Sequence, residues 1–556
     1  MNLSSALTLC LAVVTAAGRD VNTTVIFPGG SVVGKSASGI ETFAAIPYAE
    51  PPVGNLRLRL PRRLSAKLDH HDGTGTAPAC PQMSTPEEAK RVMGKFLPPG
   101  YLSVLTGITG QEDCLTVTVQ RPAGTTAADR LPVLFWIYGG GFEIGATSGY
   151  DASGLLTTAV SQNQSFVFVA VNYRVAGFGF LAGKQIAQDG SANIGLMDQR
   201  MGLQWVSDNI QAFGGDPSRV TIWGQSAGAI SVFDQMALFG GNAKYKGRSL
   251  FQGAIMDSGS IIPTGPADGE QAQLVYDNVV RAAGCEGAPD SLRCLREVPY
   301  EKFYKAMDSQ PNIFSYNSLA LSYLPRPDGV ILPDSPHVLA REGRYHAVPY
   351  IITDQEDEGT LFSPFQSNVT NTADLVQYLG DVFYSHAPKD ALEELVCSYP
   401  DNPAAGSPFR TGQANEFYPG FKRMAAMLGD LAFTLMRRMT LEITSDVHPE
   451  VPSWSSLASY AYGVPNLGSS HLSDPAIFWG PPSNETLIAN SRTYYLNFLH
   501  NQDPNDGVML SSTWPRWSDC KELMWFESRN STNLLSDDFR HESSQIIRKN
   551  LDVLTF

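Results

Sequence analysis

A short apolar run ending in Gly224-Gln225-Ser226-Ala227-Gly228 constrains this chain more than any other feature. The run, Val220 to Trp223 (VTIW), reads as a buried strand, and the residues after Gly228 suit a helix. Together they predict a sharp strand-to-helix turn with Ser226 at its tip. A nucleophile held at such a turn needs a strained backbone, and side chains on either flank would strike the strand or the helix, so glycine is required at 224 and 228. The alternative is a tight surface turn carrying an idle serine.

The surrounding pattern is α/β. Leu131 to Tyr138 (LPVLFWIY), Ser165 to Tyr173 (SFVFVAVNY) and Gly253 to Asp257 (GAIMD) are, like VTIW, nearly continuous in apolar residues. Such runs fit strands covered on both faces, which predicts a mostly parallel central sheet with helices on each side. Between the second strand and Ser226, Leu196 to Phe213 places Leu196, Leu203, Val206 and Ile210 near helical spacing, and Gly214 and Gly215 supply a stop. A β-α-β unit therefore leads into the serine.

Tyr138-Gly139-Gly140-Gly141-Phe142 closes the LPVLFWIY strand. Three glycines bare the backbone amides, and the N–H groups of Gly140, Gly141 and Ala227 are candidates for an oxyanion hole, worth about 3 kcal/mol per donor. A phosphate loop would need GxxxxGK[ST], or GxGxxG opening a helix, and neither occurs here.

Composition narrows the class further. The 556 residues are 43% hydrophobic and 17% charged, enough apolar material for a large core. No repeat, charge run or Pro/Ser-rich linker divides them, so residues 19–556 are expected to form a single catalytic domain. A net charge of −15 opposes nucleic acid and anionic membranes as partners. Residues 1–18, MNLSSALTLCLAVVTAAG, read as a signal peptide and predict secretion, although the segment begins without Lys or Arg. Nothing later reaches the roughly 18 apolar residues of a membrane span. Cleavage would leave six cysteines, Cys80, Cys114, Cys285, Cys294, Cys397 and Cys520. None has CxxC spacing, so no metal is expected, and Cys285 and Cys294 bound a short loop that one disulfide would close. Sequons at Asn22, Asn163, Asn368, Asn484 and Asn530 are candidates for glycosylation.

From Ile46 to Ser260 a collinear series of motifs resembles the type-B carboxylesterase/lipase family, which also holds the cholinesterases: IPYAEPPVGNLR, EDCL, YGGGF, VNYR, NIGLMDQRMGLQWVSDNIQAFGGDP, GQSAG and MDSGS. The resemblance implies the α/β-hydrolase fold, hydrolysis of a small-molecule or lipid ester without a cofactor, and a triad in the order Ser, acid, His. In YIITDQEDEGT spacing alone does not choose among Asp354, Glu356, Asp357 and Glu358; the family pattern selects Glu358, leaving the others to hydrogen-bond or face solvent. Of the histidines after it, His386, His448, His471, His500 and His541, the pattern selects His471 in LGSSHLSDPAIFWG, with His448 as main competitor.

The same resemblance implies disulfides Cys80–Cys114 and Cys285–Cys294. In the family's lipases the first encloses a lid, and here that loop carries Val92, Met93, Phe96, Leu97 and Leu105 among charges. An amphipathic lid would favour lipid interfaces and a lipase or sterol esterase over a soluble-ester carboxylesterase; an ordinary surface helix covering core is the other reading. Two departures oppose a choline substrate: no Trp lies between Cys80 and Cys114, and Gln225 stands where those enzymes have Glu. Family members that lost the triad serve as binding modules, and the intact Ser226, Glu358 and His471 argue against that role.

Overall fold

The computed structural model describes residues 21–97, 108 and 110–556. The expected signal peptide, residues 1–18, and Leu105 of the expected lid lie outside them.

One large sheet organises these residues. Its N-terminal edge is an antiparallel run of Val21–Phe27, Gly30–Ala37, Ile40–Pro47 and Thr116–Pro122, joined antiparallel to Val167–Val171. From there seven strands run parallel in the order Val167–Val171, Leu131–Ile137, Gly215–Gln225, Gly253–Asp257, Tyr350–Gln355, Ser453–Ala458 and Glu522–Ser528. Ser531–Ser536 pairs antiparallel at the far edge.

The apolar runs are buried on both faces, as a covered parallel sheet requires. Alternation sends Val133, Phe135 and Ile137 into one core and Leu134 and Trp136 into another. Helix Ile194–Asn209 packs on the first face through Leu196, Leu203 and Val206, and helix Ser153–Ser161 on the second through Leu155 and Leu156. The chain leaves Leu131–Ile137 toward one side of the sheet and returns to its other side, so the carboxyl ends of Leu131–Ile137 and Gly215–Gln225 flank a crevice. Open α/β sheets bind ligands at such a point.

Local differences from expectation have local causes. The helix expected to reach Phe213 tightens at Ile210–Phe213 into a 3-10 turn, ended by left-handed Gly214 at φ 87°. Strand Ser453–Ala458 stops there because the Tyr462 N–H donates back to the Ser459 carbonyl and turns the chain. Cys80–Cys114 and Cys285–Cys294 are disulfide-bonded, and Cys397 and Cys520 are free and exposed. Helix Glu87–Phe96, inside the first disulfide loop, buries Ala89, Met93 and Phe96, and Phe96 packs edge-on against Phe417 and Phe421. Among the described residues no helix is long and apolar enough to cross a membrane.

Candidate active site

Strand Gly215–Gln225 delivers Ser226 to the crevice at φ 59° and ψ −127°, a conformation rare for a side-chain-bearing residue. The Ser226 N–H donates to the Asp257 carbonyl at 2.8 Å, which ties the turn to the neighbouring strand. A Cβ on Gly228 would lie 2.1 Å from the Ile137 carbonyl oxygen, and one on Gly139 would lie 2.8 Å from the Ser226 Cβ. Only glycine lets the elbow and the YGGGF loop approach this closely. Ala227 opens helix Ala227–Gly241, so its N–H has no partner within the helix. Gly140 and Gly141, both at positive φ, lie in the loop that follows neighbouring strand Leu131–Ile137.

The acid and the histidine arrive from distant strands. Glu358 follows strand Tyr350–Gln355, and its Oε2 lies 2.5 Å from His471 Nδ1. Its other oxygen accepts from Ser258 Oγ at 2.6 Å and from the Gln355 N–H at 2.7 Å. The remaining carboxylates have other work. Asp354 pairs with buried Arg437 at 3.2 Å, Glu356 pairs with Arg410, and Asp357 accepts from Ser407, Phe409 and Ser469. His448 pairs with Glu450 at 3.1 Å, away from the serine.

Phe362 and Phe433 pack on the His471 ring, with centroids 5.0 and 4.7 Å away. Ser226, Glu358 and His471 are 6%, 1% and 3% exposed, so charges here interact with little screening by water. Burial pushes the Asp257 carboxyl up to about 6, and Asp474 is raised well above the usual range, first by burial and then by the charges of Asp257 and Glu358. Gln225 Nε2 lies 3.4 Å from His471 Nε2.

Two cavities flank the turn that carries the serine. One is apolar and runs from Ser226 along its helix, lined by Phe142, Ile230, Ile262, Ile313 and Phe433. The other is wider and more polar, lined by Gly139, Gly140, Gln225, Leu472 and Trp479, with Met83, Lys90 and Ile108 of the disulfide loop on its wall. Among the described residues no cluster of His, Cys, Asp and Glu is arranged to hold a metal.

Sequence reasoning missed Ser258, Phe362 and Phe433. Ser258 lies inside MDSGS, so its motif was visible while its role was not; the two phenylalanines have no local signal.

The carboxylesterase family model matches residues 19–546. The chain is 55% identical over 540 residues to the secreted triacylglycerol lipase LIP1 of Gibberella zeae, covering 96% of this chain and 92% of that protein. It is 40% identical over 548 residues to Lipase 4 of Diutina rugosa, covering 95% and 94%. The crystal structure of Aspergillus niger EstA superposes with a TM-score of 0.80 at 25% identity, covering 96% of this chain and 99% of that one.

Proposed function

The chain belongs to the carboxylesterase family and is a carboxylic ester hydrolase, and on that premise we propose that Ser226, His471 and Glu358 form its triad, acting on lipid esters. The 2.5 Å contact between His471 Nδ1 and Glu358, with His471 Nε2 3.4 Å from the side chain of Gln225, the residue before the strained serine, carries this reading. Glu358 fixes the tautomer that leaves Nε2 free to take the Ser226 proton as Oγ attacks the ester carbonyl. The N–H groups of Gly140, Gly141 and Ala227 receive the oxyanion, whose charge is stabilised because the amides are already oriented. His471 then protonates the departing alcohol, and water admitted by the wider cavity hydrolyses the acyl-enzyme through the same base.

The apolar lining from Ser226 to Phe433 supports an acyl chain as the group received there, which would replace unfavourable apolar–water contact with buried contact at about 25 cal/mol per Å². Relatives named as lipases support the same substrate class. The Cys80–Cys114 loop bounds the wider cavity and is suited to contact a lipid interface. Secretion after removal of residues 1–18, with glycans on some of the five sequons, completes the proposal and agrees with relatives named as secreted lipases.

Hydrolysis of p-nitrophenyl esters from acetate to palmitate, with the long chains repeated as emulsions, tests it. The expected result is preference for long chains, and loss of about 10⁶ in kcat in Ser226→Ala. Absence of activity on every ester in the unaltered protein would overturn the reading.

A further inference from the structure

Helix Ala227–Gly241 presents Ala227, Ile230 and Asp234 to the apolar cavity. Asp234 lies eight residues beyond Ser226, roughly 12 Å along the axis at about 1.5 Å per residue. It is fully buried, and neither carboxyl oxygen meets a hydrogen-bond partner among the described residues. Thr264 lines the same cavity, is also buried, and its Oγ1 likewise meets no partner there. Besides Ser226 and the last residue, Phe556, whose main-chain oxygen accepts from Arg326 at 2.9 Å, the lining is apolar, with Ile230, Ile262, Leu324 and Phe433 nearby.

Leaving such groups unpaired is unfavourable, and an apolar residue at 234 would stabilise this helix, as at its buried neighbours Val232, Phe233 and Met236. A sequence that departs from the local rule inside a substrate cavity marks a function. Burial alone pushes the Asp234 carboxyl up to about 8, so at neutral and acid pH it both donates and accepts a hydrogen bond. The Thr264 hydroxyl does the same. A hydroxyl on the ligand complements both groups, whereas a methylene complements neither.

We propose that Asp234 and Thr264 form a hydrogen-bonding subsite for a hydroxyl carried partway along the acyl chain, so that the enzyme favours esters of hydroxylated fatty acids. This rests on the reading that the apolar cavity receives the acyl chain.

Methyl ricinoleate and methyl oleate differ by one mid-chain hydroxyl and serve as the probe pair, with rates normalised to titratable active-site serine. Wild type is expected to favour ricinoleate about tenfold in kcat/KM, the factor of one net hydrogen bond. Asp234→Leu should reduce that preference to about unity, and Asp234→Asn, which keeps a donor and an acceptor, should retain most of it. Equal rates on the two esters in wild type, or the same preference in Asp234→Leu, overturns the proposal. Ile230→Trp separates that failure from failure of the acyl-cavity reading. If it lowers oleate relative to acetate, the chain does enter the cavity and the polar pair holds only water. If that ratio does not move, the chain lies elsewhere and both readings fall.

Discussion

Asp357 and Ser469 clasp each other: the Ser469 N–H donates to Asp357 Oδ2 at 2.9 Å, and the Asp357 N–H donates to the Ser469 carbonyl, also at 2.9 Å. Asp357 precedes Glu358 and Ser469 lies two residues before His471, so the clasp sets the distance between acid and imidazole. Asp357→Asn would turn an amide N–H₂ toward the Ser469 N–H if its oxygen keeps Ser407 and Phe409. Displacement of about 1 Å at a catalytic group lowers rate by roughly a hundredfold. Steady-state kinetics should therefore show kcat reduced ten- to a hundredfold with KM little changed; an unaltered kcat would show that the loop is held by other contacts.

Gln225 gives a prediction about pH. Its side-chain nitrogen lies 3.4 Å from His471 Nε2, the atom assigned to receive the serine proton. Gln225→Glu would put a carboxylate there and favour the imidazolium, which cannot act as base. The acid limb of the kcat/KM profile should move to higher pH by about one unit. An unmoved limb would mean that the new carboxylate does not face the ring.

Asp234 links stability to pH with a definite sign. Its folded-state value is about 8 against an ordinary 3.8, so between those limits the native state binds more protons than the unfolded chain. Stability contributed at this position is therefore greatest below about pH 4, falls as pH rises, and levels off above about pH 8. Other buried acids, Asp354 and Asp474 among them, act in the same direction, so the informative quantity is the difference from Asp234→Leu. Urea unfolding across this range should show the variant gaining on wild type as pH rises; parallel curves would contradict the assignment.

The two disulfides should differ in value. Cys80–Cys114 spans a separation of 34 residues and Cys285–Cys294 one of 9. Loop-closure entropy predicts losses of about 4 and about 3 kcal/mol when each is replaced by a Ser pair. Denaturant unfolding of the two double variants should preserve that order. The reverse order would show that the longer loop keeps structure in the unfolded chain.

Much of this protein is determined within a few residues along the chain. VTIW-GQSAG specifies an elbow because its glycines answer contacts made by immediate neighbours, and YGGGF does so for the amides beside it. Continuous apolar runs specify buried parallel strands because both faces must leave water. The pairing of acid and base is different. Glu358 and His471 are 113 residues apart, Ser258 and Glu358 are 100 apart, and four carboxylates in YIITDQEDEGT are locally equivalent. Family order picked out Glu358 and His471, yet only the parallel register of Gly253–Asp257, Tyr350–Gln355 and Ser453–Ala458 brings Ser258, Glu358 and the His471 loop to one end of the sheet. Helix packing across the chain likewise decides that Phe433 lies against the imidazole and that Asp234 lines a cavity rather than facing solvent. Side-chain environment is a property of what packs across space, and local sequence carries no record of it.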